Sequence, residues 1–260
     1  MQELVSIITP TYNCARFIAE TIRSVQAQTY TNWEMIISDD CSTDNTREIL
    51  APYLESDSRI KYICNEKNSG AAVTRNNALR VAQGRWIAFL DSDDLWLPEK
   101  LERQIGFMVR NNYHFSYTKY SEIDAQSKVS GVVVSGPRKV TKCGMYAYCW
   151  LGCLTVMYDA NVVGLIQIED IKKNNDYAMW LRVVQKADCY LLNENLSQYR
   201  RGREGSISTH NYSSLIKWHY KLFKEADHKS TIASALLTLG NLCCGVIKKI
   251  LYVKRWFGGM

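Results

Sequence analysis

Three carboxylates fall within four residues, Asp91, Asp93 and Asp94, directly after the apolar run Trp86 to Leu90. Like charges that close repel one another, so a chain that collects them at the end of a buried segment is expected to place something positive there. Carboxylate oxygens suit a hard divalent cation, Mn2+ or Mg2+. The rival reading is a solvated acidic turn leading into a helix that opens near Pro98. Comparable chemistry recurs at two earlier segment ends: Pro10, Thr11 and Tyr12 close the first apolar run, and Asp39 and Asp40 close the second. Three such ends outweigh any single motif, because ligands of open α/β sheets bind outside the carboxyl ends of the strands. No Gly-x-Gly-x-x-Gly or P-loop pattern follows the first run, which argues against dinucleotide or ATP-type phosphate cradling.

The segments that must carry these residues alternate in type. Apolar runs at 4–9, 33–38, 60–64 and 86–90 read as buried strands. Helices are expected between them: one through Phe17, Ile18, Ile22 and Val25, one capped by Ser42 or Thr43 and running to about Leu54, and one over 71–82. Continuous apolar strands alternating with helices predict an α/β fold around a parallel sheet. Beyond Leu101 the alternation fades. Runs at 115–120 and 129–134 read as strands joined by a polar connection, and 146–158 as an aromatic stretch packed across the sheet. Tyr177 to Val184 reads as a helix, 189–192 as a short strand and 196–208 as a basic loop. Trp96, Trp150 and Trp180 read as core or as sugar-stacking surfaces.

Near the C-terminus Ile232, Leu236, Leu239, Cys243, Val246, Ile250 and Val253 share one helical face. The uncharged run between Ser230 and Ile247 contains Ser, Thr, Asn and Gly, and falls short of the roughly 20 strongly apolar residues a membrane span needs. Net charge of +6 is unevenly spread: residues 195–260 carry eleven Lys and Arg against three acids, net +8, which leaves −2 for residues 1–194. A basic, apolar tail points to an anionic membrane surface rather than nucleic acid, through an interfacial helix or one docked on a partner. The remaining alternative is a helix packed on the domain itself. The length allows one large domain, or one with an extension, and 47% apolar with 22% charged residues marks an ordinary globular chain. Nine cysteines without CxxC spacing predict buried thiols, Cys14, Cys41, Cys64 and Cys189 among them, and a reducing cytosol. No basic region precedes the first apolar run, so no signal peptide is read there.

Four stretches, Val5 to Asn13, Asp39 to Asp44, Asn68 to Asn76 and Phe89 to Asp94, resemble in order and spacing the glycosyltransferase family 2 enzymes of the GT-A fold. The resemblance covers roughly residues 4–205. It implies a Rossmann-like, mostly parallel central sheet flanked by helices, with a C-terminal helical extension. The catalytic domain would occupy 1–210, its 1–105 half binding the nucleotide-sugar and its 106–210 half the acceptor, with an amphipathic helical extension over 211–260. By the same resemblance Asp40 hydrogen-bonds uracil, Pro10, Thr11 and Tyr12 flank the base, and Arg75 lies near the donor. Asp91, Ser92 and Asp93 form the Asp-x-Asp motif, Asp93 and Asp91 being its metal carboxylates. Arg200 belongs to a closing segment, with 205–208, that contacts the diphosphate.

Asp176 matches the family's catalytic carboxylate, set before Tyr177, Trp180, Leu181 and Arg182. Here Asn175 stands where the family has Glu; Glu169 and Asp170 supply the literal acidic pair, but the residues after them fit a helix badly. Without the resemblance Asp176 would read as a helix N-cap, and Arg200, Arg201 and Arg203 as a solvated basic loop as readily as a phosphate site. The resemblance is to bacterial enzymes that build O-antigen or capsule polysaccharide. It implies inverting transfer of a hexose or N-acetylhexosamine from a UDP-sugar donor to a sugar on a polyprenyl-diphosphate lipid. The expected setting is cytoplasmic, peripheral on the inner face of the plasma membrane, with the C-terminal helices on the membrane surface, no nucleic acid, and a homo-oligomer left open. The rivals are a non-catalytic nucleotide-sugar-binding protein and a nucleotidyltransferase; the latter needs a Gly-rich basic loop where Pro10 to Asn13 stand.

Overall fold

The computed structural model describes residues 2–202 and 212–255. Its first half alternates as the apolar runs require: β1 (Val5–Thr11), α1 (Ile18–Gln26), β2 (Trp33–Asp39), α2 (Thr46–Ser56), β3 (Ile60–Cys64), α3 (Ala71–Val81) and β4 (Trp86–Phe89). β1, β2 and β4 are covered on both faces, the arrangement that makes parallel strands continuously apolar. β3, β2, β1 and β4 lie side by side and parallel, with Val5 opposite Trp33 and Trp86. All four therefore end at the same edge, which brings the polar residues after β1, β2 and β4 together.

The second half holds β5 (Leu95–Trp96), α4 (Lys100–Asn111), β6 (Phe115–Ile123), β7 (Val129–Val134), β8 (Lys139–Val140), α5 (Lys142–Ala147), β9 (Met157–Asp159), α6 (Ala160–Val163), α7 (Asn175–Val183) and β10 (Cys189–Arg200). β9 inserts antiparallel between β4 and β6, and β10 runs parallel along β6. Two apolar cores cover the sheet. Ile7, Met35, Trp86 and Leu90 pack with Ile18, Ile22, Leu101 and Met108 on one side. Ile8, Ile36, Phe89 and Tyr158 pack with Leu79, Tyr177, Trp180 and Phe223 on the other.

Several local expectations change. Neither Ser42 nor Thr43 caps α2; the Asp44 carboxylate instead accepts from Thr46 N at 3.0 Å and Thr46 Oγ1 at 2.5 Å, and the helix opens at Thr46. β5, β9 and the strand at the C-terminus were not legible, because two- and three-residue strands carry no measurable period. The 189–192 strand continues to Arg200, its polar residues paired to β5 and β6, so the basic loop begins only at Arg201; positions 203–208 lie outside the described residues. Trp96 and Trp180 are core. Cys14 and Cys189 are buried as expected, but Cys64 is exposed and Cys41 half-buried, since both close strands at the open edge.

The C-terminal segment holds α8 (Tyr212–Lys221), a π-helical turn (Leu222–Ala226), α9 (Thr231–Leu251) and β11 (Val253–Arg255). β11 pairs antiparallel with β7 and extends the sheet. α9 turns its polar residues inward: Ser234, Thr238 and Asn241 are buried. The apolar face read from the sequence points outward, with Leu236 65% and Ile250 72% exposed. The sequence run suggested too little apolar length for a span; the 21-residue helix is long and apolar enough by length and composition.

Candidate active site

The loops after β1 and β2 are tied together. Asn13 (φ 47°) and Cys41 (φ 62°) adopt the left-handed conformation that turns the chain away from the sheet edge. Asn13 Oδ1 accepts from Thr43 N at 2.8 Å, Asn13 N donates to Ser42 Oγ at 2.9 Å, and Ala15 N donates to Asp44 at 3.1 Å. Pro10, Thr11 and Tyr12 line this edge: Thr11 is buried with an unpartnered hydroxyl, and Tyr12 is 45% exposed. Asp40 is buried, and its carboxylate accepts from Asn65 Nδ2 at 2.8 Å, Ser69 N at 2.7 Å and Gly70 N at 2.8 Å. Asp40 thus fixes the loop that starts α3. Asp39 is equally occupied, accepting from Ser42 and from the Tyr62 hydroxyl.

The acidic loop after β4 is shaped from below. Thr21 Oγ1 donates to Ser92 O and Asp94 O at 3.0 and 2.9 Å, and Cys14 Sγ lies 3.2 Å from Ser92 O. Ser92 is buried. Asp94 turns inward, where its Oδ1 accepts the Arg200 backbone N–H at 2.8 Å. Burial first, then the charges of Asp93 and Asp91, push the Asp94 carboxyl well up.

The Arg200 side chain corrects one expectation. Its guanidinium donates to Asp93 O, Asp124 O, Ser127 Oγ and Glu20 at 2.7–3.0 Å, and lies over the Phe17 ring. A group so occupied supports the acidic loop from behind instead of facing a diphosphate. Arg201 pairs with Glu122 at 2.7 Å.

Arg75 joins the two halves. It is buried on α3, and donates to Asp91 Oδ1 at 2.6 Å and to Asn175 Oδ1 at 2.5 Å. Burial alone would lower its pKa, but Asp91, with help from Cys153 and Asp176, drives it up. Asp176 is therefore held one residue from a contact that also grips the acidic loop. It sits in the first turn of α7, where the helix dipole favours a carboxylate, and its Oδ1 accepts Tyr177 N at 2.8 Å. Asn76 adds a reciprocal pair to the backbone of Ile168. Of the alternative acidic pair, Glu169 binds Arg182 and Asp170 is exposed. The bridging role of Arg75 and Asn175 was not legible, because the two residues stand 100 positions apart.

The donor set suits a divalent cation. Asp91 and Asp93 offer hard oxygens on one turn, while Asp94 is turned into the core. Among the described residues no group of three or more His, Cys, Asp or Glu side chains forms a closed cage. A cation there would complete its shell with phosphate and water oxygens, as Mg2+ sites commonly do. A separate cavity of about 460 Å3, walled by Lys119, Arg138, Leu191, Tyr252 and Lys254, includes none of these site residues.

The family model for glycosyl transferase family 2 matches residues 6–130. A Bacillus subtilis (strain 168) chain, provisionally named as the teichuronic acid biosynthesis glycosyltransferase TuaG, is 44% identical over 215 residues, 82% of this chain and 85% of that one. The Escherichia coli UDP-Glc:alpha-D-GlcNAc-diphosphoundecaprenol beta-1,3-glucosyltransferase WfgD is 42% identical over 214 residues, 82% of each chain. Among solved structures, the Pyrobaculum calidifontis mannosyltransferase PcManGT, in complex with GDP-Man and Mn2+, superposes with a TM-score of 0.67 at 16% identity, over 100% of this chain and 77% of that one.

Proposed function

This chain belongs to glycosyltransferase family 2 and has its GT-A fold, and on that premise we propose an inverting, divalent-metal-dependent transfer from a UDP-sugar to a sugar on a polyprenyl-diphosphate lipid. The observation that carries the reading is the Arg75 bridge, which holds Asp91 and the first turn of the Asp176 helix on one guanidinium. Donor corner and base must lie that close for a single displacement.

In this reading Pro10, Thr11, Tyr12 and Asp40 border the base, Asp40 by keeping the 65–70 loop in place. Asp93 and Asp91 would hold Mn2+ or Mg2+, with Ser92 fixing their turn. A cation held there would supply positive charge to neutralise the diphosphate as it departs, where charge develops. Asp176 takes the proton from the acceptor hydroxyl as that oxygen bonds to the anomeric carbon and the bond to the diphosphate breaks, releasing UDP. No second carboxylate nucleophile enters, so the anomeric configuration inverts. The name of the E. coli relative supports a UDP-glucose donor and a lipid-diphosphate acceptor. A peripheral position on the inner face of the plasma membrane is supported by the outward apolar face of α9, flanked by the exposed Lys249, Lys254 and Arg255.

Incubation of the full-length protein with UDP-hexoses and UDP-N-acetylhexosamines, plus a GlcNAc-diphosphate lipid acceptor, tests this. One donor is expected to give an inverted product, abolished by EDTA and restored by Mn2+. Retained configuration, or transfer indifferent to EDTA, would overturn the mechanism.

A further inference from the structure

The cavity at the C-terminal end of α9 is built from parts that are distant in sequence. Its walls come from β6, β7, the connection between β7 and β8, β10, the last residue of α9 and β11, and it holds about 460 Å3. β11 closes it by pairing with β7, and Ser135 N donates to Tyr252 O at 2.8 Å. The turn that carries Arg138 is fixed on both sides. Tyr117 Oη donates to Pro137 O at 2.6 Å, and Leu191 N donates to Arg138 O at 3.0 Å. Gly136 permits that approach, because a Cβ there would collide with the Tyr117 hydroxyl.

Among the described residues the walls carry three cations, Lys119, Arg138 and Lys254, and no carboxylate. Lys119 is half-buried and the other two are exposed. None of the three side chains forms an ion pair or hydrogen bond with another described residue. Lys139, next to Arg138 in sequence, is by contrast paired with Asp188 at 2.7 Å. Cations gathered without a counter-charge repel one another, and a concave wall focuses their field on an incoming anion. The planar fork of an arginine matches the oxygens of a phosphate, and lysine adds a point charge.

We infer that this cavity binds the phosphate headgroup of an anionic membrane phospholipid. The inference rests on the peripheral membrane position proposed above. Leu251 belongs to both surfaces: it walls the cavity, and it is 59% exposed at the end of the outward apolar face of α9, beside Ile247 and Ile250. A phospholipid seated there sets its phosphate among the cations and leaves its acyl chains along that face. A free phosphate ester would use only the first of these surfaces. Basic pockets at a membrane contact suit anionic headgroups for this reason. The cavity shares no wall residue with the acidic loop or with Asp176, so headgroup binding governs where the enzyme docks and not the transfer step.

The test sediments the full-length protein with vesicles of phosphatidylcholine, alone or mixed with phosphatidylglycerol. Wild type is expected to bind the mixed vesicles more tightly. The double variant Lys119→Gln, Arg138→Gln is expected to weaken that binding by about 10- to 100-fold, the range for hydrogen bonds to a charged group. Its binding to phosphatidylcholine alone is expected to stay unchanged. The double variant Lys217→Gln, Lys224→Gln removes the same charge from exposed positions outside the cavity, and is expected to lose far less. UDP affinity by calorimetry reports an intact fold in both. Equal losses in the two double variants, or a parallel loss on phosphatidylcholine, would overturn the site while the peripheral position stands. An affinity for glycerophosphoglycerol, the headgroup without acyl chains, equal to that for the mixed vesicles would overturn the lipid as its source. A wild type that sediments with neither vesicle would instead overturn the peripheral position, and this inference with it.

Discussion

Asp94 accepts the Arg200 backbone N–H from a fully buried position, whereas Asp91 meets Arg75 with a side chain 31% exposed. Two carboxylates of one loop thus have different partners, Asp94 the backbone of β10 and Asp91 the Arg75 guanidinium. Asp93, in the loop after β4, and Asp176, on α7, are the two carboxylates proposed for metal and proton. Their substitutions separate binding from turnover. Asp93→Ala is expected to abolish the metal-dependent part of UDP binding in a calorimetric titration. Asp176→Asn is expected to bind UDP and metal normally and to lose about 10²–10⁴-fold in kcat, the range for a positioned general base. Near-normal turnover in Asp176→Asn would remove the base assignment.

At the level of elements, the acidic loop and the helix that carries Asp176 share their support. Trp180 on α7 is fully buried, edge-on to Phe89 of β4 with ring centroids 5.1 Å apart. Trp180→Ala is expected to cost about 3–5 kcal/mol by denaturant unfolding, as other buried aromatic truncations do. At the amino ends of the strands, Glu34 ties β1, β2 and β3 to the turn before β4, accepting from Ser6 Oγ at 2.5 Å, Lys61 Nζ at 2.6 Å and Gln83 N at 2.8 Å. Burial acts to raise its pKa, but Lys61, Ser6 and Gln83 outweigh it and the net shift is downward. A lowered folded-state pKa gives stability that is present above the unfolded value and lost as pH falls through the folded one. Glu34→Gln should therefore flatten the acid limb of the stability curve below about pH 4.3, the ordinary Glu value. An acid limb identical to wild type would show that Glu34 does not drive it.

Over the whole molecule, the charge separation has a spatial counterpart. The acidic loop belongs to the body, and the basic residues of 217–255 belong to a segment whose apolar side chains on α9 face outward. Replacing Leu236, Leu239, Val246 and Ile250 together by Gln is expected to leave the thermal midpoint within a few degrees, since all four are exposed. Co-sedimentation with anionic vesicles should fall by tenfold or more, because each buried apolar side chain contributes about 1.5–3 kcal/mol. Wild-type binding should also weaken at 1 M salt, where the Debye length is about 3 Å. Undiminished sedimentation of the fourfold variant would reject α9 as the membrane contact.

Residue order alone determined the parallel half of this protein, because strands covered on both faces must be continuous apolar runs, and their shared carboxyl edge follows from the alternation with helices. The resemblance nominated Asp91, Asp93 and Asp176 from motifs compact enough to be read in one stretch, and the structure sets Asp91 and the first turn of the Asp176 helix on one guanidinium. Contacts made across the chain decided the rest. Arg75 meets Asn175 from 100 positions away, β9 enters the sheet as three residues, and Arg200 is held against the acidic loop by Glu20 and Ser127. The direction of α9 was decided in the same way. Its periodicity shows two faces, but only packing against Tyr146 and Tyr177 selects the polar one for burial, since a buried amide is stable only where a partner meets it.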